Sequence, residues 1–301
     1  MNQDNNSNLL AIDVGQSGSR YWYGGKKYEI NRGMYAGEPI HEALQAILSV
    51  INLRSNTVAL SLTGLYGDVG DVSRFYEVCS RLSGATEVAV IDDGLANLAG
   101  SLQGAPGVAL VLGSGIVAVG GNGNLLSHSD GLSSHFGDEG GGFWLGSRGL
   151  TRALATRDER DSEFELMKFF AEEISEYDNL KSKNGPEASL LAIQSAATLL
   201  IAADTGIPIA KTIRAEGARL LAKTVVSAWL KVGKTGEEFK VAISGGLSRN
   251  TNYTFEIISE INKLEKCATQ ISPKGDNIDG AIWIAKHWKE DIRPMLGWAR
   301  A

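Results

Sequence analysis

Residues 9–20 read LLAIDVGQSGSR, an apolar run that ends in an acidic residue and a turn rich in glycine and serine. The apolar part, Leu9–Val14, is typical of a buried β-strand. Further strands are predicted over Arg20–Tyr23 and Lys27–Ile30, and the glycine pair Gly24-Gly25 supplies the hairpin turn between them. The fold is therefore expected to begin with a three-stranded β-meander.

Helices and strands alternate after this meander. Apolar residues at helical spacing predict helices over Pro39–Ile51 and Asp71–Leu82. Short apolar runs predict strands over Thr57–Leu62 and Val88–Ile91. This order is typical of an α/β sheet that combines antiparallel hairpins with parallel crossovers.

A similar order starts again later in the chain. Strands over Val108–Leu112, Ile116–Val119 and Asn124–Ser127 predict a second meander, with Gly120–Gly123 as its turn. A largely helical stretch follows, and then strands and helices alternate once more. The predicted helices are Ser147–Ala155, Ser162–Ser175, Glu187–Ala203, Pro208–Val232, Thr251–Leu264 and Asp279–Lys289, and the predicted strands are Val241–Ser244 and Ala268–Ile271.

The length of 301 residues is at the size where a single hydrophobic core stops growing, so two domains are expected. Pro106 lies between Gly104 and Gly107, where the second meander begins, and we place the boundary there. The expected domains are residues 1–106 and 107–301, the second with a helical insertion. The last helix is expected to return to the first domain, and a cleft between the domains is the expected site.

Composition disfavours several classes of function. A formal net charge of -6, with no basic patch in the sequence, argues against binding to nucleic acid or to an anionic membrane. Met1–Asn8 is polar and acidic, and no apolar run approaches about 18 residues, so we expect a cytoplasmic protein. Cys79 and Cys267 form no metal-ligand spacing, which suits a reducing compartment.

The turn Gly15-Gln16-Ser17-Gly18-Ser19-Arg20 follows the carboxylate of Asp13 at the end of the first strand. Backbone N–H groups and hydroxyls in such a turn can approach phosphate closely, and the aspartate can hold Mg²⁺ through water. An ordinary hairpin turn is the commoner interpretation of the segment taken alone. It is not a Walker A loop, because no Gly-Lys-Ser/Thr follows.

Two further glycine turns accompany the first. Gly113-Ser114-Gly115 occupies the matching point of the second meander, so the two turns together could clamp one polyphosphate. Gly245-Gly246 leads from a predicted strand towards Asn250 and a helix, where an adenosine could lie against bare backbone. A tight strand-to-helix turn is the equally good alternative for this last segment.

Acidic residues stand at two other special positions. Asp92 and Asp93 lie where a strand meets a helix, and a carboxylate there can accept the proton of an attacking hydroxyl or can cap the helix. Asp138 and Glu139 follow Gly137 in a loop rich in glycine. Paired carboxylates on such a loop can chelate sugar hydroxyls.

Taken together and in this order, these segments resemble the BadF/BadG/BcrA/BcrD ATPase family, particularly its N-acetylglucosamine and glucosamine kinase branch. The resemblance covers nearly the whole chain. It implies an α/β fold of two RNase H-like, actin-like ATPase domains with a central cleft. It also implies an ATP-dependent kinase, using ATP and Mg²⁺, that phosphorylates a hydroxyl of a small sugar such as an amino sugar. Relatives of this type are commonly homodimers.

The resemblance also implies roles for individual residues. Asp93 is the general base at the acceptor hydroxyl, and Asp13 anchors Mg²⁺. Gly137, Asp138 and Glu139 face the sugar. The nucleotide-binding positions are Gly15, Gln16, Ser17, Gly18, Ser19, Arg20, Gly113, Ser114, Gly115, Gly245, Gly246 and Asn250.

Departures from the family's pattern concern the substrate. The segment Gly33–Gly37 has no asparagine where acetylglucosamine kinases of this type carry a Ser-Asn or Thr-Asn sugar contact, so the residues do not support an N-acetyl group. Asp92 stands where the family usually has asparagine. The dehydratase activators of the family need closely placed cysteines for an iron–sulfur cluster, which Cys79 and Cys267 do not provide.

Two other functions are compatible with the sequence. The chain could be an ATPase that couples nucleotide-driven closure to a protein partner, in which case a sugar would not accelerate ATP turnover. It could also be a catalytically silent sugar-binding or regulatory protein. Both phosphate turns and Asp93 are present, which disfavours the silent protein.

Overall fold

The computed structural model describes residues 8–15, 18–35 and 37–301. The proposed phosphate contacts Gln16 and Ser17 lie outside the described residues. The chain divides into two units, one formed by Met1–Ala105 with Pro273–Ala301 and the other by Pro106–Ser272. Each unit contains its own sheet and its own hydrophobic core.

The first unit is an α/β unit whose sheet has the strand order β11-β5-β4-β1-β2-β3. The first three strands form an antiparallel meander, while β4 and β5 run parallel to β1 and β11 pairs antiparallel with β5. Its elements are β1 (Leu9–Val14), β2 (Ser19–Tyr23), β3 (Lys26–Ile30), α1 (Ile40–Ile51), β4 (Thr57–Leu62), α2 (Ser73–Ser83), β5 (Glu87–Asp92), α3 (Asp93–Leu102), α10 (Asn277–His287) and β11 (Leu296–Arg300).

The burial of the central strands in this unit explains why the sequence predicted these strands. Every residue of β1 is buried, and β4 and β5 are buried after their first residue. Parallel strands covered by helices on both faces carry continuous apolar runs rather than alternating ones. Because β1, β4 and β5 are parallel neighbours, their carboxyl ends meet at one edge of the sheet.

The second unit repeats the meander with a larger helical part, and its strand order is β10-β9-β6-β7-β8. Strands β6, β7 and β8 are antiparallel, while β9 runs parallel to β6 and β10. Its elements are β6 (Gly107–Leu112), β7 (Ile116–Gly121), β8 (Leu126–Asp130), α4 (Gly142–Arg157), α5 (Phe164–Phe169), α6 (Ala171–Asn179), α7 (Pro186–Thr205), α8 (Pro208–Leu230), β9 (Phe239–Ser244), a short 3-10 helix (Gly246–Arg249), α9 (Thr251–Leu264) and β10 (Ala268–Ile271).

Helix α4 begins at Gly142, five positions before the predicted start at Ser147. Glycine lowers helix propensity, which is why the sequence pattern placed Gly142–Gly146 in a loop. The glycines serve packing instead, because a Cβ at Gly146 would lie 1.8 Å from the carbonyl oxygen of Ala192 on α7. Close approach of α4 and α7 therefore requires glycine at this helical position.

Other elements also differ from the predictions. Gly120 and Gly121 belong to β7 rather than to a turn, and β8 accordingly begins at Leu126. The predicted helix Ser162–Ser175 is two helices, α5 and α6, which meet at the fully buried Phe170. Strand β11 was not predicted, because its five residues LGWAR show no clear alternation of apolar and polar residues.

Helix α7 is long and apolar enough to cross a membrane by length and composition, with a mean hydropathy of 1.4, and no other described helix meets that test. Inside its unit it packs against α4 and α8. Its buried face includes Leu191, Leu199 and Leu200. Packing in the core of the unit accounts for the apolar residues of this face.

Candidate active site

The carboxyl edge of the first unit's sheet brings together the acidic residues that the sequence singled out. In the strand register, Asp13 of β1 lies beside Ser61 of β4, and Leu62 of β4 lies beside Asp92 of β5. Asp93 follows as the first residue of α3. Asp13 and the Asp92-Asp93 pair therefore share one edge.

Asp13 is buried, with 7% of its surface exposed, and its carboxylate is held from three sides. Its Oδ2 lies 2.7 Å from Nη2 of Arg20. Its Oδ1 accepts a hydrogen bond from the Ser61 hydroxyl at 2.8 Å and another from the Asn277 amide at 3.3 Å. This network fixes the orientation of the carboxylate.

Whether Asp13 suits a magnesium ion depends on the contacts of its carboxylate. Mg²⁺ usually keeps several waters and uses one or two carboxylates together with substrate phosphates. Oδ2 of Asp13 retains acceptor capacity beside Arg20, which suits a hydrogen bond from a metal-bound water better than direct ligation. The described residues contain no group of three or more His, Cys, Asp or Glu that could hold an ion by themselves.

Asp92 and Asp93 have different hydrogen-bond environments. Asp92 is 1% exposed and accepts N–H hydrogen bonds from Gly94 at 3.0 Å and from Gly67 at 2.8 Å. Both of its carboxylate oxygens are thus engaged, and it is the N-cap of α3. Asp93 remains partly exposed.

The surroundings of Asp93 change its acidity. Burial raises the pKa of the Asp93 carboxyl to about 7, and the negative charges of Asp92 and Asp13 act in the same direction. Hydrogen bonds from the Thr63 side chain and the Gly94 N–H oppose this shift. A carboxyl group with such a pKa can both accept and release a proton near neutral pH.

The described part of the first glycine turn is held by backbone and side-chain contacts. The Gly15 N–H donates to the carbonyl oxygen of Gly18 at 3.0 Å, and Met34 N–H donates to that of Gly15 at 2.9 Å. The hydroxyl of Ser19 donates to the carbonyl oxygen of Arg32 at 2.6 Å. Ser19 therefore ties the turn to the segment after β3, a role the sequence did not predict.

Arg20 connects this turn to the last helix. Its guanidinium contacts Asp13 and also Asp276, which lies 3.1 Å away at the N-cap of α10. Lys27 pairs with the same Asp276 and with Asp279. The two basic side chains thus fix the start of α10 beside the turn.

In the second unit, the turn Gly113-Ser114-Gly115 lies against the start of α4. The N–H groups of Gly142 and Phe143 donate to the carbonyl oxygens of Gly113 and Ser114 at 2.8 and 2.9 Å. A Cβ at Gly115 would lie 2.5 Å from a carboxylate oxygen of Asp138. The second predicted phosphate turn and the acidic loop are therefore one packed structure.

Asp138 has a structural contact that the sequence did not predict. Its Oδ1 accepts the Ile116 N–H at 3.1 Å, and its own N–H donates to Asp130 at 2.9 Å. Burial raises the pKa of Asp138, the Ile116 N–H opposes this, and the charge of Asp130 raises it further. Glu139, by contrast, is exposed.

The third glycine turn lies beside the second because β6 and β9 are parallel neighbours. Gly245 has a φ of 97° and a Cβ there would lie 2.4 Å from the carbonyl oxygen of Leu112, so only glycine fits. Asn250 caps α9 through the Tyr253 N–H and donates to Asp204 at 2.8 Å. Its predicted nucleotide contact would therefore add to a structural role.

Sequence reasoning missed several residues that complete these networks, namely Ser61, Thr63, Asp130, Asp204, Tyr253, Asp276 and Asn277. Ser61 and Thr63 lie at the carboxyl end of a predicted buried strand, so their polarity was a usable signal. Asp276 and Asn277 are distant in sequence from Asp13. No local pattern connects such residues.

Comparison with solved structures supports the predicted fold class, an α/β fold of two RNase H-like, actin-like ATPase domains, because solved sugar kinases share this fold over most of the chain. A protein from Chromobacterium violaceum, provisionally named an N-acetylglucosamine kinase, matches with a TM-score of 0.68 and 21% identity over 91% of this chain and 97% of that chain. A ROK family glucokinase from Streptomyces griseus, solved with glucose and AMPPNP, matches with a TM-score of 0.60 and 15% identity over 92% and 98%.

The sequence relationship is more specific. Residues 8–285 match the model of the BadF/BadG/BcrA/BcrD ATPase family, and the chain belongs to that family. It is also 25% identical over 227 residues, 72% of each protein, to the N-acetylmuramic acid/N-acetylglucosamine kinase of Clostridium acetobutylicum. The predicted family and fold class are confirmed.

Proposed function

We propose that the chain is an ATP-dependent kinase that phosphorylates a hydroxyl of a sugar, in particular an amino sugar such as N-acetylglucosamine or glucosamine. The observation that carries the proposal is Asp93, which is partly exposed beside Asp13 and has a pKa of about 7. Its neighbour Asp92 is fully engaged as a helix cap. The kinase relatives support the same reaction.

Asp93 acts as the general base. Its ionised carboxylate accepts the proton of the acceptor hydroxyl while the hydroxyl oxygen forms a bond to the γ-phosphorus of ATP. The bond between that phosphorus and the bridging oxygen of ADP breaks, and ADP leaves. Because this transfer involves little covalent chemistry for the protein, positioning and charge stabilisation supply most of the rate.

The glycine turns supply the nucleotide contacts. We assign the phosphates to Gly15, Gly18–Arg20 and Gly113–Gly115, and the adenosine to Gly245-Gly246. Asp13 would hold Mg²⁺ through its waters, and the ion would neutralise charge on the phosphates. The acidic loop with Gly137, Asp138 and Glu139 would bind the ring hydroxyls.

A coupled assay of ADP release with a panel of hexoses and amino sugars tests this function. We expect at least one sugar to accelerate ADP release, with one sugar phosphate formed per ADP. ATP turnover that no sugar accelerates would instead support the ATPase that acts on a protein partner. We expect the reaction in the cytoplasm, without nucleic acid or membrane, and a homodimer as its form in solution.

A further inference from the structure

Tyr253 connects two parts of the second unit that the proposed kinase reaction uses for different ligands. It is the third residue of α9 and its side chain is fully buried, with 0% exposed. Its phenol O–H donates to the carbonyl oxygen of Gly140 at 2.7 Å. Gly140 lies two residues after Asp138 in the acidic loop.

Close packing leaves this contact little freedom to rearrange. Gly140 has a φ of 88°, and a Cβ there would lie 2.8 Å from the carbonyl oxygen of Gly217 on α8. A Cβ at Gly217 would in turn lie 2.6 Å from the Tyr253 hydroxyl. Glycine at both positions allows the loop, α8 and the phenol to meet directly.

The other end of the connection begins at the adenosine turn. Asn250 is the last residue of that turn and accepts the Tyr253 N–H at 2.8 Å, while its amide donates to Asp204 at 2.8 Å. Asp204 also accepts a hydrogen bond from Asn252 and pairs with the buried Arg214. The turn is therefore fixed to a charged network at one side and to Tyr253 at the other.

We propose that Tyr253 is a positioning residue that couples the adenosine turn, residues 245–250, to the acidic loop, residues 137–142. Nucleotide that orders the turn also orders the loop through the Asn250–Tyr253–Gly140 contacts, and the loop then binds the acceptor more tightly. The proposal rests on the kinase function above for the identity of the two ligands. Burial raises the pKa of Tyr253, which keeps the phenol protonated as a donor.

Amide hydrogen exchange tests the coupling without any acceptor. In the wild-type protein, a non-hydrolysable ATP analogue should slow exchange in peptides from both 245–250 and 137–142. In Tyr253→Phe, the analogue should still slow exchange in 245–250 but should no longer do so in 137–142. Loss of the hydroxyl removes the contact to Gly140 while the ring still fills its place.

Tyr23→Phe is the matched control, because the Tyr23 hydroxyl also donates to a backbone carbonyl oxygen, that of Arg54 at 3.1 Å, in the first unit. It should leave the exchange response of both peptides unchanged. If Tyr253→Phe does not fold, Asn250→Ala removes the acceptor of the Tyr253 N–H, and at saturating analogue it should weaken the response of 137–142 in the same way.

A binding measurement adds a readout that lost stability alone would not change. The analogue should raise the affinity for the accepted sugar at least about fivefold in the wild type, and this factor should approach one in Tyr253→Phe. The coupling is overturned if the analogue still slows exchange in 137–142 of the folded variant. It is also overturned if the analogue does not slow exchange there in the wild type. The kinase function is tested separately by ADP release, so its failure is distinguishable.

Discussion

Two adjacent carboxylates of the first unit have different environments although they differ by one position in the chain. Asp92 accepts the Gly94 N–H, which stabilises the start of α3, and its other oxygen accepts the Gly67 N–H. Asp93 begins the helix and remains partly exposed. A sequence pattern can indicate that one of the pair caps the helix, and the hydrogen bonds identify Asp92 as that residue.

Asp93→Asn is expected to lower turnover about 10² to 10⁴-fold, because a carboxamide cannot accept the proton of the acceptor hydroxyl. Nucleotide affinity should remain close to that of the wild type, which calorimetry with an ATP analogue would measure. Retention of more than about a tenth of wild-type turnover would assign the base to another group.

The pH dependence of turnover should report the same carboxyl. Since the pKa of Asp93 is raised to about 7, the base is ionised above that pH and protonated below it. Turnover should therefore fall about tenfold per pH unit below pH 7. A profile that stays flat down to about pH 5, the range expected for an ordinary carboxyl group, would contradict this assignment.

Asp138 has both a structural contact and an expected sugar contact, and two substitutions separate them. Asp138→Asn retains an oxygen that can accept the Ile116 N–H, whereas Asp138→Ala retains none. If the carboxylate binds the sugar, both variants should raise the sugar KM and lower kcat, since charged hydrogen bonds contribute roughly 1.5 to 3 kcal/mol.

The thermal stability of the same preparations completes that test. Asp138→Ala should also lower the melting temperature, and Asp138→Asn should do so much less. ATP affinity should change little in either variant. Unaltered sugar kinetics in a stable Asp138→Asn protein would remove this carboxylate from the sugar site and leave it as a support for the second phosphate turn.

At the scale of elements, helices α3 and α10 of the first unit cross at two glycines. A Cβ at Gly280 would lie 1.8 Å from the carbonyl oxygen of Ala96, and a Cβ at Gly100 would lie 2.1 Å from that of Asp276. The crossing places Asn277 at the start of α10 within hydrogen-bonding distance of Asp13. The packing of two helices thus determines a contact at the candidate site.

Gly280→Ala is expected to destabilise the protein by about 1 to 3 kcal/mol or more, because the backbone of α3 must move to admit the methyl group. Denaturant unfolding would measure the loss, and turnover should fall with it as Asn277 and Asp276 shift. Gly185→Ala is the control, because that glycine has ordinary backbone angles and only the Ser182 side chain nearby. Equal stability of the two variants would contradict a tight crossing.

The elements that the sequence predicted well are those whose signals are local in the chain. Thr251–Leu264 and Ala268–Ile271 have the predicted bounds, since apolar spacing and the Asn250 cap are visible in the sequence. The start of α4 and the whole of β11 were missed. Their formation depends on a partner element, α7 or β5, that sequence spacing does not reveal.

At the scale of the whole molecule, each unit carries part of the proposed chemistry. The base and the first phosphate turn belong to the unit that contains residues 273–301, and the adenosine turn and the acidic loop belong to residues 106–272. The family and fold could be predicted because short motifs recur in a fixed order along nearly the whole chain. The identity of the sugar depends on a few side chains from separate segments, so no motif encodes it.

The segment after β3 gives the most direct argument about that sugar. In this segment Arg32 pairs with Glu38, and the Arg32 guanidinium carbon lies 4.1 Å from the centre of the Tyr35 ring. The sequence of Gly33–Gly37 offers no asparagine for an acetamide. An acetamide left unpaired in a closed site costs roughly 1 to 3 kcal/mol.

We therefore expect glucosamine or another hexose derivative to be at least as good an acceptor as N-acetylglucosamine. The cost of the unpaired acetamide corresponds to a preference of about five- to 150-fold against the acetylated sugar. Competition assays with glucose, glucosamine and N-acetylglucosamine at saturating ATP measure this preference, because the three sugars differ only at one ring position. The relative from Clostridium acetobutylicum is named for N-acetylated sugars, so strong selectivity for N-acetylglucosamine would mean that a different segment of this chain binds the acetamide.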